Sequence, residues 1–94
     1  QQYGVVIKVI ENDNVVATLN GTVVYTNHEM SDVYTIIIKH TNYLSIYRGL
    51  KKMSKNVGDL VQMGESIGLT SSHNLEFELW KNDQPIDPEK LIVF

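Results

Sequence analysis

The chain has 94 residues, 43% of them hydrophobic and 20% charged, which suits one domain with a single modest core and argues against global disorder. Its net charge of −3 is opposite to the basic stripe of a nucleic-acid surface, and the absence of cysteine excludes disulfides and thiolate metal sites. No apolar run approaches a membrane span and no signal peptide is visible. The strand pattern starts directly after Gln1, as expected of a piece of something longer.

β signals dominate from the start. YGVVIKVI (3–10) is β-branched and stops at the turn-rich Glu11-Asn12-Asp13-Asn14. VVATL (15–19) follows, and Asn20-Gly21, a strong hairpin dipeptide, predicts a tight reversal into TVVYT (22–26). NHEMSD (27–32) reads as a polar loop. VYTIIIKH (33–40) reads as a strand buried on both faces at its middle, turned by Thr41-Asn42 into YLSIYRGL (43–50). KKMSKNVGD (51–59) reads as a connection, with LVQM and SIGLT as short strands around Gly64-Glu65. HNLEFEL (73–79) alternates cleanly: Leu75, Phe77 and Leu79 face a core, while Asn74, Glu76, Glu78 and Trp80 face the other way. Lys81-Asn82-Asp83-Gln84 predicts a turn, and Asp87-Pro88-Glu89-Lys90 could open one helical turn. The sum is a compact all-β sandwich or barrel, with one short C-terminal helical turn at most.

The chemistry-bearing residues are sparse. His28, His40 and His73 lack the spacing of metal ligands: paired ligands on a strand sit two apart, so that both point to one face. His28 reads as a surface residue, and His40, at a strand end before a turn, as a partner for backbone. Lys51, Lys52 and Lys55 read as a solvated turn. Glu76 and Glu78 share a face, and two such acids more often solubilise an edge than perform acid–base catalysis. VGDLVQMGESIG resembles the strand-turn-strand of lipoyl or biotinyl carriers. Such carriers present a modified Lys at a hairpin tip, however, and Lys52-Met53 lies in a long connection.

The strings NGTVVYT (20–26), IIIKHTNYLSIYRGL (36–50), VGDLVQMGESIGLT (57–70) and NLEFELWKNDQPIDPEKLI (74–92) resemble LytM-type domains, the lysostaphin-like zinc endopeptidases that cut peptide cross-links of bacterial cell walls. The resemblance implies the duplicated hybrid motif of that family, layered like a β-sandwich, with a groove across one sheet and an extracytoplasmic location. It also supplies a map. The family's first motif, His-x-Gly-x-Asp, falls on Gln2-Tyr3-Gly4-Val5-Val6, so its two ligand positions hold Gln2 and Val6. The second, His-x-His-Phe-Glu, falls on Asn74-Leu75-Glu76-Phe77-Glu78, so a catalytic His is replaced by Asn74 and a ligand by Glu76. A further catalytic His, in a Tyr-x-His-Leu string, is replaced by Gly49.

What the resemblance then implies is a degenerate domain with no metal, no catalytic residue and no cofactor. Such domains, of the EnvC-like and NlpD-like type, activate cell-wall amidases, and a protein partner of that kind is expected, with direct contact to peptidoglycan left open. Two alternatives stand beside it: an envelope scaffold of the sporulation-channel type, and a peptidase with an altered metal site built on Glu76, Glu78 and His73. The emptied groove would dock the partner through Glu76, Glu78 and Trp80, and through Tyr47 or Arg48 beside the vacated Gly49 position. Neither nucleic acid nor membrane is an expected partner.

Overall fold

The computed structural model describes residues 5–29, 33–72 and 74–86, with backbone alone for Glu29. Nine strands account for most of them: β1 (Val5–Ile7), β2 (Asn14–Val16), β3 (Gly21–Glu29), β4 (Val33–Lys39), β5 (Leu44–Met53), β6 (Leu60–Val61), β7 (Ser66–Thr70), β8 (Leu75–Lys81) and β9 (Gln84–Ile86). No helix occurs among the described residues, in line with the all-β expectation. The helical turn anticipated at 87–90 lies outside them, as do Gln2 and His73.

All pairings are antiparallel and belong to one hydrogen-bonded sheet. One run of neighbours is β1-β8-β5-β4-β3-β6; β7 joins β5 to β2, and β9 extends β8. The arms of this sheet enclose a single core, in which Val15, Ala17 and Ile67 from the β2–β7 arm cluster with Ile36, Tyr47 and Phe77. Continuity comes from β5. Its Leu44–Arg48 stretch pairs with both β4 and β8, whereas Leu50–Met53 pairs with β7. The change of partner falls at Gly49, where φ is +104° and the β4–β5 register slips. A bulge with a left-handed glycine bends a strand in this way.

Several elements differ from their sequence-based expectations. Asn20-Gly21 does not make a hairpin: β2 pairs with β7, and β3 with β4 and β6. The dipeptide serves a tertiary contact instead. A Cβ on Gly21 would lie 2.4 Å from the Lys39 carbonyl oxygen, so only glycine permits the approach. The neighbouring Asn20 carbonyl accepts from His40 Nδ1 at 2.6 Å, and Asn20 Oδ1 accepts from the Met63 amide at 2.7 Å. The strands around Gly64-Glu65 do not pair with each other either. Their turn docks on the end of β2, with Gly64 N–H donating to the Ala17 carbonyl and Ala17 N–H to the Glu65 carbonyl.

Strand limits also move. β1 ends at Ile7, short of the expected Ile10, β3 runs on to Glu29 because Asn27, His28 and Glu29 pair with Thr35, Tyr34 and Val33, and β5 extends to Met53. Extended polar residues are cheap to add to a ladder when a partner strand is already in place. The turns at Thr41-Asn42 and Asn82-Asp83 fall where expected. The second has φ of 51° and 62° at its central residues, the left-handed pair that a two-residue hairpin requires.

The isolated histidines and lysines have structural partners. His40 is buried, with Nε2 2.7 Å from the Ser45 hydroxyl in addition to its bond to Asn20. The His28 ring stacks on Tyr34, centroids 4.4 Å apart. Lys51 pairs with Glu11 at 2.8 Å, and Lys55 pairs with Glu65 and holds that carboxyl below its usual range. Lys52 lies within β5 opposite Leu69, far from any hairpin tip of the carrier kind.

The alternation of β8 gives a stability contrast. Phe77 is 3% exposed and touches the Tyr47 ring, whereas its neighbour Glu76 is exposed. Phe77→Ala should cost about 3–5 kcal/mol in chemical denaturation, and Glu76→Ala no more than about 0.5 kcal/mol. Equal midpoints for the two variants would mean that the faces of β8 are reversed.

Candidate functional site

The face of the sheet turned away from the core is built by β1, β8 and β5. Register brings Val6 opposite Glu76, and Glu76 opposite Arg48, so three strands place these residues in one row. Two positions that the resemblance maps to metal ligands are therefore cross-strand neighbours. Both are exposed, Val6 at 54%. The two mapped catalytic positions also meet: a Cβ at Gly49 would stand 2.7 Å from the Asn74 carbonyl oxygen. Gly49 is buried and its φ is one that other residues rarely adopt, so the backbone itself is shaped against a side chain there.

Zinc does not fit this set of residues. A catalytic zinc site converges three N, O or S donors and leaves one position open. Val6 has no donor atom, Glu76 brings one carboxylate, and Gln2 has only a neutral amide oxygen. Among the described residues no group of three or more His, Asp or Glu side chains could hold a metal ion. Glu76 and Glu78 stay on one face, as alternation requires, but Glu78 is committed to other partners.

Those partners define what the face now offers. The Glu78 carboxylate takes the Arg48 guanidinium on one oxygen and the Trp80 indole N–H, at 2.9 Å, on the other. Arg48 and Trp80 are thus held on either side of one acid, both half-buried. Next to them Ile46, registered with Glu78, is 7% exposed yet belongs to no part of the core cluster. It forms an apolar floor on the outer face. Glu76 keeps its carboxylate exposed beside this group.

Tyr47 requires correction. It is 2% exposed, its ring packs on Phe77 with centroids 5.2 Å apart, and its hydroxyl accepts from the Thr18 amide at 3.1 Å. Adjacent strand residues point to opposite faces, so Tyr47 and Arg48 cannot both line the groove. Arg48 takes the outer side. Two features of this end of the molecule carried no local signal in the sequence: the Ile46 floor, hidden in a strand apolar on both sides, and the meeting of the Lys39–Leu44 and Trp80–Asp83 hairpin tips.

Comparison with known proteins agrees with the architecture. The profile of Peptidase family M23 matches residues 1–88. Among solved structures, Helicobacter pylori Csd3 in a hexagonal crystal superposes with a TM-score of 0.89 at 22% identity, covering 98% of this chain and 27% of that one. Lysostaphin in solution gives 0.82 at 24% identity, covering 94% of this chain and 41% of that one. The SpoIIQ–SpoIIIAH pore-forming complex gives 0.73 at 24% identity, covering 81% and 54%. This chain thus spans about a quarter of the Csd3 chain, and the likeness is one of fold. No curated protein matches the sequence.

The shape of the backbone at Gly49 can be tested against Gly58, which has a similar φ of +96° but open space around it. Both substitutions to Ala should cost about 1 kcal/mol for the left-handed conformation. Gly49→Ala should add a further loss of about 1–3 kcal/mol from the clash with Asn74. Equal urea midpoints for the two variants would remove the clash from the account.

Proposed function

The chain belongs to peptidase family M23, and from that membership we propose that it works as a non-catalytic LytM-like binding module of bacterial cell-wall remodelling, outside the cytoplasm, whose partner is a peptidoglycan amidase that it activates. The observation that carries this reading is the exchange at one place on the outer face. Where the family's motifs call for His or Asp, this chain has Val6, Glu76, Gly49 and Asn74. Beside them stand Arg48 and Trp80, oriented by Glu78. A site without its donors cannot lower the pKa of a bound water, the step on which metal-assisted hydrolysis depends. Gly49 and Asn74 cannot supply the charge stabilisation of imidazoles either.

The remaining constellation suits docking. Arg and Trp are the commonest interface anchors, because they combine large contact area with directed donors. Glu78 fixes both before any partner arrives, which reduces the ordering cost of association. One guanidinium bond is spent on Glu78, so further Arg48 N–H groups remain for a partner carboxylate or carbonyl. Ile46, the registered partner of Glu78, is buried beside them.

The test uses Arg48→Ala, Trp80→Ala and Glu78→Gln, each confirmed as folded by circular dichroism, in an assay of amidase activation. At least one should reduce activation by about tenfold or more, equivalent to about 1.4 kcal/mol of binding. Full activation by all three folded variants would place the interface elsewhere. Restoring Asn74→His together with Glu76→His should yield no lysis band on a peptidoglycan gel with zinc supplied, because position 6 still lacks a donor.

A further inference from the structure

On the core-facing side of β8, the β1 and β2 segments border an open cleft of about 420 Å³. Its lining is largely apolar, with buried Val15, Leu75 and Phe77 and exposed Ile7 and Val16. Ile10 borders the same cleft and is 76% exposed. The backbone that carries Ile10 is fixed. The buried Thr70 hydroxyl donates to the Ile10 carbonyl at 2.5 Å and accepts from the Asp13 amide at 2.8 Å. Lys51 ties down the same turn through Glu11 and Asn12 Oδ1. An apolar side chain on a clamped turn needs little further ordering on association. Single exposed apolar residues are ordinary, but Ile7, Ile10 and Val16 together around an apolar cleft mark a contact surface.

The charges indicate what the surface contacts. Glu11 is taken by Lys51, and the Asn14 side chain by the Ser66 hydroxyl. Lys8 and Asp13 both line the cleft and are exposed, and neither has an ion pair among the described residues. The surface thus carries an apolar protrusion, an apolar hollow, one cation and one anion. Each is the complement of another, as an isologous contact requires, where a two-fold axis sets one residue against a second and the second against the first. An extended peptide would find only three-residue strands at β1 and β2 to pair with. A small apolar ligand would leave Lys8 and Asp13 unused.

We infer that this surface pairs with a second copy of the chain, Ile10 of each copy entering the cleft of the other and Lys8 of each meeting Asp13 of the other. Leu75 and Phe77 face this contact, whereas Glu76 and Glu78 alternate to the opposite side of β8. The Arg48–Trp80 face stays free, and the pairing does not rest on the amidase reading.

Sedimentation equilibrium of the 94-residue chain, from about 5 µM to about 1 mM, tests the pairing. The expected result is a monomer–dimer equilibrium with a Kd between about 10 µM and about 500 µM. Ile10→Ser, confirmed as folded by circular dichroism, should weaken association about tenfold or more. The charges give the sharper arm. Lys8→Asp and Asp13→Lys should each weaken self-association about tenfold, because like charges then face each other across the axis. An equimolar mixture of those two variants should recover the parent association, since each again meets an opposite charge. A purely structural role for either residue would not be rescued by mixing. The inference is overturned if the chain is still monomeric at about 1 mM, or if the mixture associates no better than its components. Dimers that survive Ile10→Ser unchanged would place the contact elsewhere and overturn it too. So would a monomer that dimerises only after removal of residues 91–94, which would give the cleft to the chain's own C-terminal segment.

Discussion

Everything in this molecule hangs on the bend of β5 at Gly49. One strand serves three neighbours, β4, β8 and β7, and the change of partner requires a backbone conformation that glycine alone takes without strain. On one side of the bend, the β4–β5–β8 pairing builds the outer face. On the other, β7 brings β2 over the opposite side and closes the core. The Tyr47 hydroxyl bonds to Thr18, just beyond β2, from within β5 and so ties the two arms together.

The same bend accounts for the chemistry of the outer face. Gly49 sits against the Asn74 carbonyl, where the family's resemblance places catalytic side chains, and the space for one is taken up by backbone. Gly49 therefore departs from the family's pattern in backbone space as well as in side chain. Across the same strands, Arg48 reaches Glu78 and Glu78 reaches Trp80. The three form a chain of charge-assisted hydrogen bonds beside the apolar Ile46, and Glu78 fixes the orientation of both neighbours.

Local physics was legible in the sequence, and long-range pairing was not. The alternation Leu75–Glu76–Phe77–Glu78–Leu79 settles both faces of β8, since a strand against a core allows only one register of apolar residues. The turns at Thr41-Asn42 and Asn82-Asp83 and the structural role of His40 followed from residue type in the same way. Asn20-Gly21 misled because a glycine required for close tertiary approach looks identical to one required for a hairpin. The faces of Tyr47 and Arg48 depend on their register with Phe77 and Glu76 of β8, a long-range pairing. The cleft between the Lys39–Leu44 and Trp80–Asp83 hairpin tips joins residues some forty positions apart, and no local pattern announces that the two tips will share one end of a sheet.

The central claim is that the fold persists while the zinc chemistry is gone, and metal binding tests it most directly. The folded protein is dialysed to equilibrium against zinc at neutral pH, and bound metal is measured by mass spectrometry of the elements, with lysostaphin as the positive control. The account predicts bound zinc well below one equivalent and no release of peptides from peptidoglycan. One tightly held zinc per chain, accompanied by cross-link cleavage, would contradict it.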